Sequence, residues 1–239
     1  MAQQRTLGLI GGLSWESSKS YYQWLNEGVK DRLGGFHSAD LIMHSLDFAA
    51  IEEMQRANDW DAATLTMINA AEGLERAGAK GLIICSNTMH KCAKAVQAMV
   101  DIPLLHVADS VGLVMMREGY KAPLLLGTKF TMEEDFYHAR LEQEFGFKAS
   151  TPDDDDRQTV HDIIYDELCQ GIISDGSRAS YQQIIDKAAK SGSDCVILGC
   201  TEIGLLIQQS DVDLPVLDTT AYHVKTALDF MLSEFKGET

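Results

Sequence analysis

The chain has 239 residues, 45 % of them hydrophobic and 23 % charged. That is an ordinary globular composition with enough apolar residues for a sizeable core, and it excludes a disordered tail, a collagen-like chain and a disulfide-stapled mini-protein. Asp and Glu number 36 against 20 Lys and Arg, a net charge of −16. Such an excess repels phosphate backbones and anionic lipid, so neither nucleic acid nor a membrane is expected as a partner. A local pocket can still hold a small acidic substrate.

The elements alternate along the chain. The opening MAQQRTLGLIGGLSW is cut by glycines and followed by no cleavage site, so it reads as folded chain rather than a signal peptide. Strands are expected at 6–10, 41–44, 82–84, 104–107, 124–126, 148–151, 195–198 and 216–217. Several are continuously apolar, as parallel strands covered on both faces are. Helical spacing links Tyr21, Leu25 and Val29, then Met67, Ala71 and Leu74, then Ala93, Val96 and Val100. It resumes at Tyr137, Leu141 and Phe145, at Tyr181, Ile184, Ile185 and Ala188, and at Val224, Leu228, Met231 and Phe235. The acidic run 153–156 reads as a solvated loop. The pattern is that of an α/β protein with mostly parallel sheets flanked by helices. No apolar run approaches the roughly 18 residues of a membrane span. Five cysteines, Cys85, Cys92, Cys169, Cys195 and Cys200, form no C-x-x-C pair, and their odd number points to reduced thiols in the cytoplasm. No metal site is implied.

An internal repeat carries the domain organisation. AGAKGLIICSNT (77–88) aligns with SGSDCVILGCTE (191–202) at an offset of 114, placing Ser86 opposite Cys200. DIPLLH (101–106) matches DLPVLD (213–218) at an offset of 112, and Leu9-Ile10-Gly11 matches Leu125-Leu126-Gly127 at 116. Three collinear matches predict two pseudo-symmetric halves of four strands each. Residues 1–106 with 219–239 would form the first half and 107–218 the second, with a cleft between them.

In open α/β sheets ligands bind beyond the carboxyl ends of strands. Two such ends carry polar clusters: Cys85-Ser86-Asn87-Thr88 and Gly199-Cys200-Thr201-Glu202. A helix start there would offer N–H groups to a carboxylate and lower the pKa of a cysteine. A carboxylate as near as Glu202 would instead raise it. Asn87, Thr88 and Thr201 could cap helices, a geometry that also serves carboxylate binding. Facing each other, the clusters would present proton-transfer groups to opposite faces of one small molecule. The fingerprints G-x-G-x-x-G, Walker A and G-x-S-x-G are absent from the sequence.

The motifs GGLSWES (11–17) with Tyr21-Tyr22, GGFHSA (34–39), SLDF (45–48), SNTMHK (86–91), LLGTKFTM (125–132) with Phe136-Tyr137, LGCTEIGLL (198–206) and DTT (218–220) span nearly the whole chain. Together they resemble the aspartate/glutamate racemases that work without pyridoxal phosphate. The resemblance implies two pseudo-symmetric α/β domains, a homodimer, no cofactor, and a cysteine from each half exchanging the α-proton on opposite faces. It makes Ser14, Gln55 and Thr128 candidates for contacting substrate, with Gln55 in a loop after Asp47-Phe48.

One position departs from the two-thiol pattern: Ser86 stands where the first cysteine is expected, as in a subset with a hydroxyl residue there. Cys85 lies one residue earlier, so its side chain should face the other side of the sheet and sit in the core. Cys200 is then the thiol base and Ser86, directly or through water, its partner, with Asn87, Thr88, Thr201 and Glu202 around them. His90 reads as a structural donor outside the site. Arg56 and Arg178 are the candidates for a distal carboxylate. The expected activity is racemisation of aspartate or glutamate at Cα. The alternatives are a single-thiol decarboxylase of a malonate-like acid and a ligand-binding relative without turnover.

Overall fold

A computed structural model describes residues 4–233. In chain order its regular elements begin β1 (Leu7–Gly11), α1 (Trp15–Leu33), β2 (Leu41–Ser45), α2 (Phe48–Arg56), α3 (Trp60–Arg76), β3 (Gly81–Ile84) and α4 (Ala93–Gln97). They continue with α5 (Val107–Glu118), β4 (Pro123–Gly127), α6 (Lys129–Glu133), α7 (Asp135–Phe145) and α8 (Asp154–Asp162). The last are α9 (Asp175–Lys190), β5 (Cys195–Gly199), α10 (Ile203–Leu206), β6 (Val216–Asp218) and α11 (Thr219–Leu232). Contacts group the described residues into two units. The first holds those up to Cys85, Cys92–His106 and those from His223 on; the second holds Ser86–Lys91 and Val107–Tyr222.

In the first unit a parallel sheet runs β2-β1-β3. β1 and β3 are buried throughout, which explains their unbroken apolar sequences, whereas β2 is an exposed edge. Leu7, Leu9, Ile83 and Cys85 pack against Tyr21, Leu25 and Val29 of α1 and Val224, Ala227, Leu228 and Met231 of α11.

The second unit holds a parallel sheet of order β4-β5-β6. Its side chains alternate as strand geometry requires. Leu124, Leu126, Val196 and Leu198 face a cluster with Val160, Tyr181, Ile184, Ile203 and Leu206. Leu125, Ile197 and Leu217 face Val107, Val111, Met115, Tyr137 and Leu141.

The strand registers reproduce the sequence repeat. Leu7 pairs with Gly81 in one sheet and Pro123 with Cys195 in the other, which are the offsets of 116 and 114. Leu82 bridges Leu104 while Val196 pairs with Val216, the offsets of 114 and 112.

Each sheet has three strands rather than the expected four. The segments at 104–107 and 148–151 are reduced to single bridges, Leu82 with Leu104 and Leu124 with Ser150. Each is held by two backbone hydrogen bonds, from Leu82 N to Pro103 O and Leu105 N to Leu82 O, and from Ser150 N to Pro123 O and Leu125 N to Ser150 O. Pro103 and Pro152 lack the N–H that would extend either ladder, and α5 begins at Val107. The run 153–156 is not a loop: Asp153 caps α8 through Asp156 N, and the acidic first turn complements the helix dipole. α4 stops at Gln97, short of Val100. Phe235 lies outside the described residues. Among the described residues no helix is long and apolar enough to cross a membrane.

Candidate functional site

β4 and β5 end in glycines for a steric reason. A Cβ on Gly199 would lie 2.8 Å from Leu126 O, and one on Gly127 would lie 2.9 Å from Gly199 O. Only bare backbone lets the two strand ends approach so closely. The chain then turns through Cys200 and Thr201 into α10.

Here the thiol meets a carboxylate. Cys200 Sγ donates to Glu202 Oε2 at 3.0 Å, and Thr201 Oγ1 donates to the same oxygen at 2.6 Å. Cys200 is 8 % exposed and Glu202 4 %. Burial pushes the Cys200 thiol well above its ordinary pKa, and the negative charge of Glu202 pushes it further. The depression expected from a helix start is overridden. α10 has only four residues, and the side chain of Glu202, at its N-cap, makes no capping hydrogen bond. The carboxylate is spent on the thiol instead. Thr201 directs its hydroxyl proton at Glu202, which removes it as a simple donor to a substrate carboxylate.

The other expected cluster belongs to the same unit. Asn87 Nδ2 donates to Thr219 Oγ1 at 2.9 Å, and Thr219 Oγ1 donates to Leu198 O at 2.7 Å. That tie fixes the segment on β5 two residues before Cys200. Thr219 spends its single proton on a carbonyl, so the Asn87 amide orientation is determined, and its Oδ1 is buried without a donor. Thr88 Oγ1 lies 3.0 Å from Thr128 Oγ1, which lies 3.3 Å from Thr131 Oγ1. Three hydroxyl protons serve these two links, leaving one for a ligand. Lys91 Nζ pairs with Glu134 at 2.5 Å. Ser86 Oγ accepts Met89 N at 3.4 Å, and its own proton has no acceptor among the described residues.

Thus the second unit contains Ser86, Asn87, Thr88, Thr128, Cys200, Thr201 and Glu202. Ser14 and Gln55 belong to the first. Ser14 caps α1 by accepting Ser17 N at 3.3 Å and donates to Glu16 at 3.0 Å. Its φ of 104° is a rare conformation for a residue with a side chain. Strain of this kind costs on the order of 1–3 kcal/mol and collects at functional sites. Gln55 lies in α2 rather than in a loop, and is buried there beside Ile51 in sequence register i, i+4. Cys85 is fully buried among Leu7, Leu9 and Ile83, and burial raises its pKa far above the ordinary thiol range. Arg56 pairs with Glu52 on the surface. Arg178 donates to Leu206 O and pairs with Asp211 at 3.2 Å. Both cations therefore have structural partners. Sequence reasoning left Thr219 and Thr131 without a role; the DTT motif contains the first, but its partner Asn87 is 132 positions away. Among the described residues no group of His, Cys, Asp and Glu could hold a metal ion.

A structure assigned as an Asp/Glu racemase of Yersinia pestis is 47 % identical, covers 95 % of this chain and 98 % of its own, and superposes with a TM-score of 0.89. An aspartate racemase homologue of Pyrococcus horikoshii OT3 is 34 % identical over 98 % of this chain and 100 % of its own, with a TM-score of 0.82. The broad specificity amino-acid racemase RacX of Bacillus subtilis (strain 168) is 23 % identical over 95 % of this chain and 98 % of its own. The model of the Asp/Glu/hydantoin racemase family matches residues 10–227, and the chain belongs to that family.

Proposed function

We propose that the protein is a cofactor-independent racemase of aspartate or glutamate, with Cys200 exchanging the α-proton on one face and Ser86 serving the other. The observation that carries this reading is the buried thiol hydrogen-bonded to a buried carboxylate, Cys200 to Glu202 at 3.0 Å. Burial and the negative charge of Glu202 both disfavour the Cys200 thiolate. The resting pair is therefore thiol and carboxylate. Transfer to Glu202 makes the thiolate transiently, and the thiolate then removes the proton from Cα. The electron pair left on Cα delocalises into the α-carboxylate, whose growing charge is met by the spare hydroxyl proton of the Thr88–Thr128–Thr131 chain. Asn87 Oδ1, an acceptor without a donor, suits the substrate ammonium. A proton delivered on the opposite face from Ser86, directly or through water, completes inversion, and solvent then returns a proton to Ser86 and takes up the one held by Glu202. Ser14 and Gln55 enter as substrate contacts through the family resemblance.

The test is incubation of pure L- and D-aspartate and glutamate in deuterium oxide. The reading expects deuterium at Cα together with the opposite enantiomer. Carbon dioxide released from a malonate, with no α-exchange in any amino acid, would support the decarboxylase alternative. Thermal stabilisation by an amino acid without exchange would indicate a binding protein.

A further inference from the structure

Among the buried titratable side chains of the second unit that the proposed mechanism leaves unused, His90 lies beside Ser86. His90 is 2 % exposed and touches both the segment that carries Ser86 and the start of α5. Its Nδ1 lies 2.7 Å from Ser86 O, and its Nε2 accepts the backbone N–H of Val107 at 3.2 Å. These contacts determine its protonation. An amide N–H only donates, so Nε2 carries no proton and the ring is neutral. A carbonyl only accepts, so the single ring proton sits on Nδ1 and is donated to Ser86 O. Val107 is the first residue of α5, where backbone N–H groups lack partners within the helix. α5 is itself fixed, with Val107, Ala108, Val111 and Met115 fully buried. The imidazole therefore spans from a rigid helix to the carbonyl of the residue that bears the second proton-transfer group.

We infer that His90 is a positioning residue for Ser86, holding its backbone so that the hydroxyl stands at a fixed place relative to the substrate's Cα. It acts through Ser86 and moves no proton itself. The Asn87 and Thr88 ties hold the two following residues, whereas His90 bonds the carbonyl of Ser86 itself. The inference rests on the racemase reading and refines it.

The consequence is selective. Loosening Ser86 impairs proton delivery on its own face and leaves removal and return by Cys200 intact. L-Aspartate and L-glutamate in deuterium oxide are the probes; resemblance to the aspartate/glutamate racemases implies that Cys200 serves the L-face and Ser86 the D-face, and the racemase reading adopts that assignment. For each protein the rate of enantiomer formation is divided by the rate of α-deuterium uptake into the remaining L-substrate. In His90→Ala this ratio should fall by about tenfold to a hundredfold, the scale that a misplacement of up to 1 Å costs. His90→Asn, whose amide nitrogen can stand where Nδ1 stands, should restore most of it. Thermal melting of each variant reports folding separately. Equal loss of inversion and exchange in a folded variant, or an unchanged ratio, overturns the inference. No exchange by the wild-type protein overturns the racemase reading itself.

Discussion

The ends of β3 and β5 occupy equivalent places in the two halves of the repeat, yet they are built for different work. At β5 a thiol has its own carboxylate, Glu202, two residues on. At β3 the equivalent positions are Ser86 and Thr88, and among the described residues neither hydroxyl bonds a carboxylate. The segment after β3 is instead tied down four times, through Asn87, Thr88, His90 and Lys91. In the proposed mechanism one strand end moves a proton and the other places a weak proton donor accurately. A hydroxyl that cannot be activated by charge is useful only where geometry does the activating.

The largest expected effect comes from breaking the thiol end. Cys200→Ser should lower kcat by about 10³-fold while the fold persists, as removal of an essential acid–base group does. Steady-state racemisation with a melting curve checks both halves of that statement. Glu202→Gln should cost about 10²-fold in kcat. Its pH profile carries a second signature. The negative charge of Glu202 raises the thiol pKa, so removing it should move the alkaline rise of the residual activity to lower pH. A rise displaced to higher pH would contradict the assigned electrostatics.

Smaller effects sharpen the comparison from the other end. Thr219→Val removes the tie between Asn87 and β5 and should cost about 1–2 kcal/mol of stability, the usual penalty for stranding buried hydrogen-bonding groups. Its KM should rise more than its kcat falls, measurable by steady-state kinetics. Cys85→Ala deletes a thiol that packs in the core, and should cost about 1 kcal/mol through a small cavity. Activity close to wild type in that variant would separate the buried thiol from the site; a folded but inactive Cys85→Ala would mark it as the missing first-half base.

Much of this comparison was legible in the sequence. Continuous apolar runs identified β1, β3, β4 and β5 because both faces of those strands are buried. The repeat offsets turned out to be the strand registers themselves. What stayed hidden was tertiary. Nothing local marks Pro103 and Pro152 as stopping two strands at one bridge, nor Lys187 as the partner of Asp153 and Asp156 beside α8. Gln55 escaped its helix because α2 buries only Ile51 and Gln55, too sparse a stripe for periodicity to register. The pair Cys200–Glu202 is close in sequence and was visible there. The sequence marks His90 as a structural donor, while its acceptor, Ser86 O, and its second partner, Val107, are set by the folded chain.

The central claim is that two unlike groups serve opposite faces of one carbon, and α-deuterium uptake separates them most directly. In deuterium oxide with L-glutamate or L-aspartate, Ser86→Ala should still incorporate deuterium into L-substrate while forming little D-product, and Cys200→Ser should do neither. Inversion by Ser86→Ala at the wild-type rate, or undiminished exchange by Cys200→Ser, would contradict the account.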